Sequence, residues 1–379
     1  MNIEYQIDKY INLMRKLELQ LPKRWSGGDF YYALESHFKT YLSYLEPDIS
    51  KAKLNRINTI TNKILKTVKS YHSGYPAEAY KSFSNVMTFL MKEPFKIYEK
   101  NWYQEEAFRK KDSFKLYRIR NIQMHATLSR KDIFHVPYSY RSKVDTSRYS
   151  IAGFPCLYLA TNLELCCEES KLSSFNDLRI ASRYQLERNE SVSNLVINII
   201  EMGIKPIHFY DYFVYSASEI NRDYTGIDKE MLSKVRDKDR YMKRYFSEID
   251  LLDEEVRSNY LYWYPLISSC SFIRTSKNDK FASEYIIPQL LMQWIRSQSN
   301  ESNLFGIRYF SCASLLASDK GFNYVFPTSG DRLNDKYDYC NILSKSFRFS
   351  EPYYVHEFDN LERCEKFLDD RTDFGYLWT

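Results

Sequence analysis

The chain has 379 residues, of which 27% are charged and 44% apolar, and a net charge of +5. That length allows two domains or one catalytic domain with large additions, and the composition is that of a globular protein rather than a disordered one. The charge suits a small anionic substrate and is too weak to argue for nucleic acid as a partner. No run approaches the roughly 18 apolar residues that span a bilayer, and the N-terminus has no apolar stretch of signal-peptide length. A soluble, cytoplasmic protein with no membrane partner is therefore expected.

Residues 1–105 read as a helical domain. Ile3, Ile7, Tyr10, Ile11 and Met14 recur with helical spacing up to Pro22, and Asp29 is placed to cap a helix over Phe30–Leu45. Leu54, Ile57, Ile60, Ile64 and Val68 line one face of a third helix, whose span Lys51–Ser70 carries six basic residues and no acidic one. A solvated face is the plain reading of that charge; a docking face for an acidic partner is the other. A fourth helix is expected from Ala77 to about Lys100, bent near Pro94.

From Phe114 the pattern changes. Phe114–Arg120 alternates like a half-buried strand, and Cys156–Ala160 follows Gly153 and Pro155 as another. Thr161 and Asn162 then start a helix from Leu163 to Ser170. Asn194–Ile200, Gly306–Cys312 and Asn323–Pro327 read as strands, Leu266–Ile273 as a short strand or loop, and Phe281–Arg296 as an amphipathic helix. The expected organisation is a catalytic domain over 106–330 with a polar helical insertion at about 212–260, then an extension over 331–379. The fold class expected is α+β, with a mixed sheet flanked by helices.

The seven cysteines include no CxxC and do not cluster with the six histidines, so reduced thiols and no metal site are expected. The residues that carry chemistry lie elsewhere. Leu116-Tyr117-Arg118 ends with an arginine on a strand, and Arg120 shares its face. Arg148-Tyr149-Ser150-Ile151-Ala152-Gly153 leads into the strand bearing Tyr158, and Glu169 follows eleven residues later on the next helix. Far downstream stands Gly306-Ile307-Arg308-Tyr309-Phe310-Ser311. A guanidinium offers a planar fork of donors for phosphate, an aromatic ring can pack against a flat base, and a carboxylate can stabilise a developing cation. Glu168 is separated from Glu169 only by helix register, and His135 in the loop between the two strands is either a pocket group or structural.

In order and spacing these segments resemble the RES-domain family, named for an arginine, a glutamate and a serine. The resemblance covers about Phe114–Pro327. It implies an ADP-ribosyltransferase-like core that takes NAD as substrate and breaks its nicotinamide–ribose bond, with inorganic phosphate as a candidate co-substrate. Glu169, Arg118, Tyr158 and Ser311 would be the catalytic set, and Arg118, Arg120, Arg148, Tyr149, Tyr158 and Ser311 would bind the dinucleotide. Members act as toxins of toxin–antitoxin pairs, which implies an antitoxin or regulatory partner. The helical region over 1–105, which compact toxins of this type lack, could serve restraint, sensing or homo-oligomer assembly in a defence effector. Transfer of ADP-ribose to a macromolecule and a non-catalytic helical adaptor remain the alternatives.

Overall fold

Local sequence sets the first helices. Asp29 accepts from the Tyr31 N–H at 2.8 Å to cap α2 (Phe30–Leu45), and Ser50 accepts from Lys53 N–H to cap α3 (Lys51–His72). Pro76 opens α4 (Pro76–Leu90), where its missing N–H costs nothing. The computed structural model describes residues 9–92, 115–122, 128–170, 178–186, 198–220, 238, 241–243, 250–276, 279–298, 304–328 and 338–378. The periodicity at Ile3 and Ile7 and the bend near Pro94 lie outside the described residues.

The chain forms two units: residues 1–96 with 204–278, and residues 97–203 with 279–379. Residues 204–278, within which the sequence suggests an insertion over 212–260, therefore belong with the N-terminal helices, and 338–378 of the expected extension belongs with the sheet.

The first unit is helical. It contains α1 (Lys9–Met14), α2 to α4, α7 (Pro206–Ile220) and α8 (Glu254–Ser269), with α3 packed on α4, α2 and α8, and α1 on α7. On α3, Ile57, Ile60, Ile64 and Val68 are buried, while Lys51, Arg56, Lys66 and Lys69 are exposed. Of the expected strand or loop at Leu266–Ile273, the half Leu266–Ser269 is instead the end of α8, while the rest is non-helical and Phe272 bridges Lys23. Every residue of α8 from Asn259 to Ser269 is buried, so no polar face remains to reveal a helical period.

The second unit is built on a sheet in the order β4-β5-β6-β2-β1-β3-β7, with β8 also on β3. Its strands are β1 (Leu116–Ile122), β2 (Cys156–Ala160), β3 (Leu178–Leu186), β4 (Asn198–Met202), β5 (Leu304–Phe310), β6 (Phe322–Pro327), β7 (Phe347–Phe349) and β8 (Tyr353–Tyr354). Among the described residues, β4 and β5 are the one parallel pair of strands and the other strand pairings are antiparallel. The sheet is thus mixed and the fold class is α+β. Its helices include α5 (Arg130–Ile133), α6 (Leu163–Glu169), α9 (Ile286–Gln298), α10 (Asn341–Ser346) and α11 (Leu361–Asp369). Leu163, Leu165 and Cys166 of α6 pack with Cys364 and Leu368 of α11 over Tyr117, Ala160 and Ala181 of the sheet. A Cβ at Gly306 would lie 2.6 Å from the Val325 carbonyl oxygen, which is why β5 carries glycine where it meets β6. A buried ion pair joins the parallel strands, Glu201 of β4 to Arg308 of β5, which stand opposite each other in register.

Candidate active site

The site begins where β2 turns into α6. Thr161 Oγ1 accepts from the Phe322 N–H at 3.0 Å, and Asn162 accepts from the Leu165 N–H at 2.8 Å while its amide donates to the Lys320 carbonyl at 2.6 Å. Glu365 of α11 accepts from the Leu163 N–H at 2.9 Å, placing a carboxylate on the first turn of α6. The helix that carries the two neighbouring glutamates is thereby fixed at its start. Its register separates them. Glu168 pairs with Lys320 at 2.6 Å, beside the Glu164–Lys320 pair at 2.7 Å, whereas Glu169 Oε1 accepts from Asn323 Nδ2 of β6 at 2.7 Å. Glu169 is exposed as a residue, with one oxygen turned back to the sheet.

Strand register puts Tyr117, Ile119, Tyr158, Ala160, Asn323 and Tyr309 on one face, because Tyr117 stands opposite Ala160, Ala160 opposite Asn323, and Asn323 opposite Tyr309. The segment before β2 closes over that face. Tyr158 Oη lies 2.8 Å from Ser147 Oγ and 2.6 Å from Ser150 Oγ, and Gln289 of α9 donates to the carbonyls of Ser147 and Ser150 at 3.1 and 3.3 Å. Arg148, held between those serines, lies 5.0 Å over the Tyr285 ring, and Tyr149 packs on Tyr309 with ring centroids 4.7 Å apart. Gly153, at φ +80°, makes the turn that precedes β2.

The charges converge as well. Burial works against the Arg148 cation, but Cys312, Tyr285, Tyr149 and Glu169 outweigh it, and its pKa stands above the ordinary arginine value. Burial also pushes the Tyr309 phenol well up, reinforced by Glu169, Tyr158 and Tyr149 and opposed by Arg148. Tyr158 is raised by burial too, with its two serine partners acting the other way. A cation, a carboxylate and three tyrosines therefore share one neighbourhood, in which burial keeps the Tyr158 and Tyr309 phenols protonated.

No protein-family model matches this chain, and no solved structure matches it. The chain is 26% identical over 343 residues to a protein of Bacillus subtilis (strain 168) named "Putative toxin YopC", covering 88% of this chain and 67% of that one. This chain is similar to a protein named as a toxin. Among the described residues no helix is long and apolar enough to cross a membrane, and no group of three His, Cys, Asp or Glu side chains is placed to hold a metal ion.

The remaining predicted residues lie around this cluster in different ways. Arg118 and Arg120 stand on the opposite face of β1, in register with Ser182 and Ile180. Arg118 reaches back and donates from Nη1 to the Tyr158 carbonyl at 2.8 Å, where β1 and β2 share the single register pair Tyr117–Ala160. Burial lowers its pKa, and its Nε has no hydrogen-bond partner among the described residues. Arg120 donates to the Asp132 carbonyl at 2.8 Å. Ser311 is fully buried just past β5 and accepts from the Ala313 N–H at 3.1 Å. The structure thus gathers Glu169, Arg148, Tyr149 and Tyr158, attaches Arg118 through the β2 backbone, and turns Arg120 and Ser311 to main-chain partners.

His135 is structural in its bonding. Its Nε2 accepts from the Cys340 N–H at 2.9 Å, so Nδ1 carries the proton and donates to the Val136 carbonyl at 2.8 Å. Burial, aided by the Arg118 charge, lowers its pKa to about 4 against the Val136 bond. Four neighbours escaped the sequence reading: Tyr285, Gln289, Tyr309 and Asn323. Tyr309 lay inside a quoted motif, and Asn323 was a lone amide in the apolar run Phe322–Pro327, the pattern of a buried polar side chain with a partner.

Proposed function

We propose that this chain is a toxin-class enzyme of the RES type, which binds NAD and breaks the bond between nicotinamide and ribose. The mixed sheet with flanking helices is in keeping with an ADP-ribosyltransferase-like core. The observation that carries the reading is Glu169: fixed to β6 by Asn323, it lies within electrostatic reach of Arg148 and Tyr309 on the face that bears Tyr158. The named toxin with which this chain aligns over most of its length supports the same class.

The chemistry asks little of the protein. As the C1′–N bond breaks, its electron pair neutralises the pyridinium ring and nicotinamide leaves uncharged, while the ribose becomes oxocarbenium-like. Glu169 faces that growing positive charge, Arg148 offers a fork for the pyrophosphate, and the tyrosine rings bound the flat base. Phosphate or water then attacks C1′ and gives up a proton. A carboxylate this exposed also offers a partner protein something to cover, which is how an antitoxin would restrain the enzyme.

Purified protein mixed with NAD tests the reading. Nicotinamide should appear with turnover, faster in phosphate buffer if phosphate is the acceptor, and ADP-ribose or its 1″-phosphate should appear in equal amount. If NAD stays intact in both buffers, the assignment fails; a labelled macromolecule in place of a small product would make the reaction a transfer.

A further inference from the structure

The α6 backbone is held by Glu365 at Leu163, by the Asn162 cap and by Lys320 against Glu164 and Glu168. What those contacts leave undetermined is the Glu169 side chain, which stands on the last residue of the helix with three torsions of its own. Asn323 supplies the missing constraint. It is 3% exposed, sits near the start of β6 directly opposite both Ala160 and Tyr309, and gives its Nδ2 proton to Glu169 Oε1 at 2.7 Å. An amide buried in an apolar strand is costly unless it is bonded, and a carboxylate is the strongest acceptor within its reach. The bond occupies one carboxylate oxygen and leaves Oε2 for a ligand.

We infer that Asn323 is the positioning residue of the proposed reaction: it fixes the rotamer of Glu169 so that one carboxylate oxygen faces the sugar. This rests on the NAD-cleaving function proposed above. The charged and titratable groups around the pair include Arg148, Tyr309, Tyr158 and Tyr149, with Glu168 and Lys320 on the outer side of the helix. A neutral donor suits the place better than a lysine or arginine, because it holds the carboxylate without adding a cation beside a ribose that turns positive.

The experiment is steady-state nicotinamide release by wild type, Asn323→Ala and Asn323→Asp across pH 5–9. Asn323→Ala should lower kcat by about tenfold to a hundredfold with KM changed less, the mark of lost orientation rather than lost affinity. Asn323→Asp sets two carboxylates at hydrogen-bond distance, so the acid limb of its kcat profile should rise by about one pH unit or more. A merely structural role would lower the amount of folded enzyme and leave that limb where it is in wild type. Asn323→Ala guards against an Asp variant that does not fold. An active wild type whose two variants keep both its kcat and its pH profile overturns the inference while the function stands. A wild type that releases no nicotinamide overturns the function and the inference together.

Discussion

In the helical unit several of the largest buried side chains are neutral phenols whose hydroxyls find partners on the main chain. Tyr41, Tyr260 and Tyr264 donate to the carbonyls of Leu261, Ile204 and Leu19 at 2.8, 3.0 and 2.8 Å. In the sheet unit Arg148, Arg130, Arg308 and Glu201 are buried together with their charges. Burying an ion gains little stability over a well-packed apolar side chain, and a buried phenol that keeps its hydrogen bond costs far less. The contrast teaches that the phenols of the helical unit are satisfied as in an ordinary core, while the sheet unit maintains several charges that packing alone does not require. Arg130 is accounted for by bonds to the Phe349 and Asp373 carbonyls and to Glu351, and Arg308 by Glu201. Arg148 lies 5.0 Å over the Tyr285 ring and shares its neighbourhood with the Glu169 carboxylate.

The contrast can be broken from either side. The largest effect on stability is expected at Glu201→Ala, which takes the carboxylate away from a buried guanidinium and should cost about 3–5 kcal/mol in chemical denaturation. A loss below about 1 kcal/mol would mean that Arg308 finds another partner and that the buried ions are loosely held.

Acid comes next. His37 in the helical unit and His135 in the sheet unit are both buried neutral, with pKa values lowered by burial to about 3 and about 4. The unfolded chain takes up these protons near the ordinary value of 6.5, so stability is complete above that pH and falls as pH drops through the window toward 4 and then 3. For His135 the share at stake is about 3 kcal/mol. Denaturation midpoints at pH 7, 5.5 and 4 should fall more steeply for wild type than for His135→Phe; parallel curves would contradict the assignment of a neutral ring.

A smaller loss, about 1–3 kcal/mol, is expected for Tyr264→Phe, which leaves the buried Leu19 carbonyl and His37 Nε2 without the hydroxyl that serves both. The smallest is Lys320→Ala. Its pairs with Glu164 and Glu168 lie at the surface and should contribute less than about 1 kcal/mol, shrinking further in high salt. A large, salt-independent loss there would show that the outer clamp on α6 matters more than its exposure suggests.

Sequence carried the local parts of this picture. The β2–α6 passage was legible because a short apolar run after Gly153 and Pro155, a capping asparagine and a helical turn follow in succession, each with its own short-range cause. Phe30–Leu45 was legible for the same reason. β3 was not, because Ser182 interrupts its apolar face between Ile180 and Tyr184; its hydroxyl donates to the Ser350 carbonyl at 2.6 Å, a partner that no local pattern announces. β7 and β8 take their register from β3, far back in the chain, and carry no period of their own. The site followed the same rule: Arg148, Tyr158 and Glu169 stood in one stretch, whereas Asn323, Gln289 and Tyr285 reach them only through the sheet and α9. Arg118 and Arg120 could be assigned a shared face from alternation, but not which face.

Of the two adjacent glutamates on α6, one is expected to serve the substrate. Nicotinamide release by Glu169→Ala and Glu168→Ala, measured side by side with wild type, decides which. Loss of about a hundredfold to a thousandfold in kcat is predicted for Glu169→Ala, with Glu168→Ala near wild type because its carboxylate is spent on Lys320. Equal activity in Glu169→Ala and wild type would contradict the account.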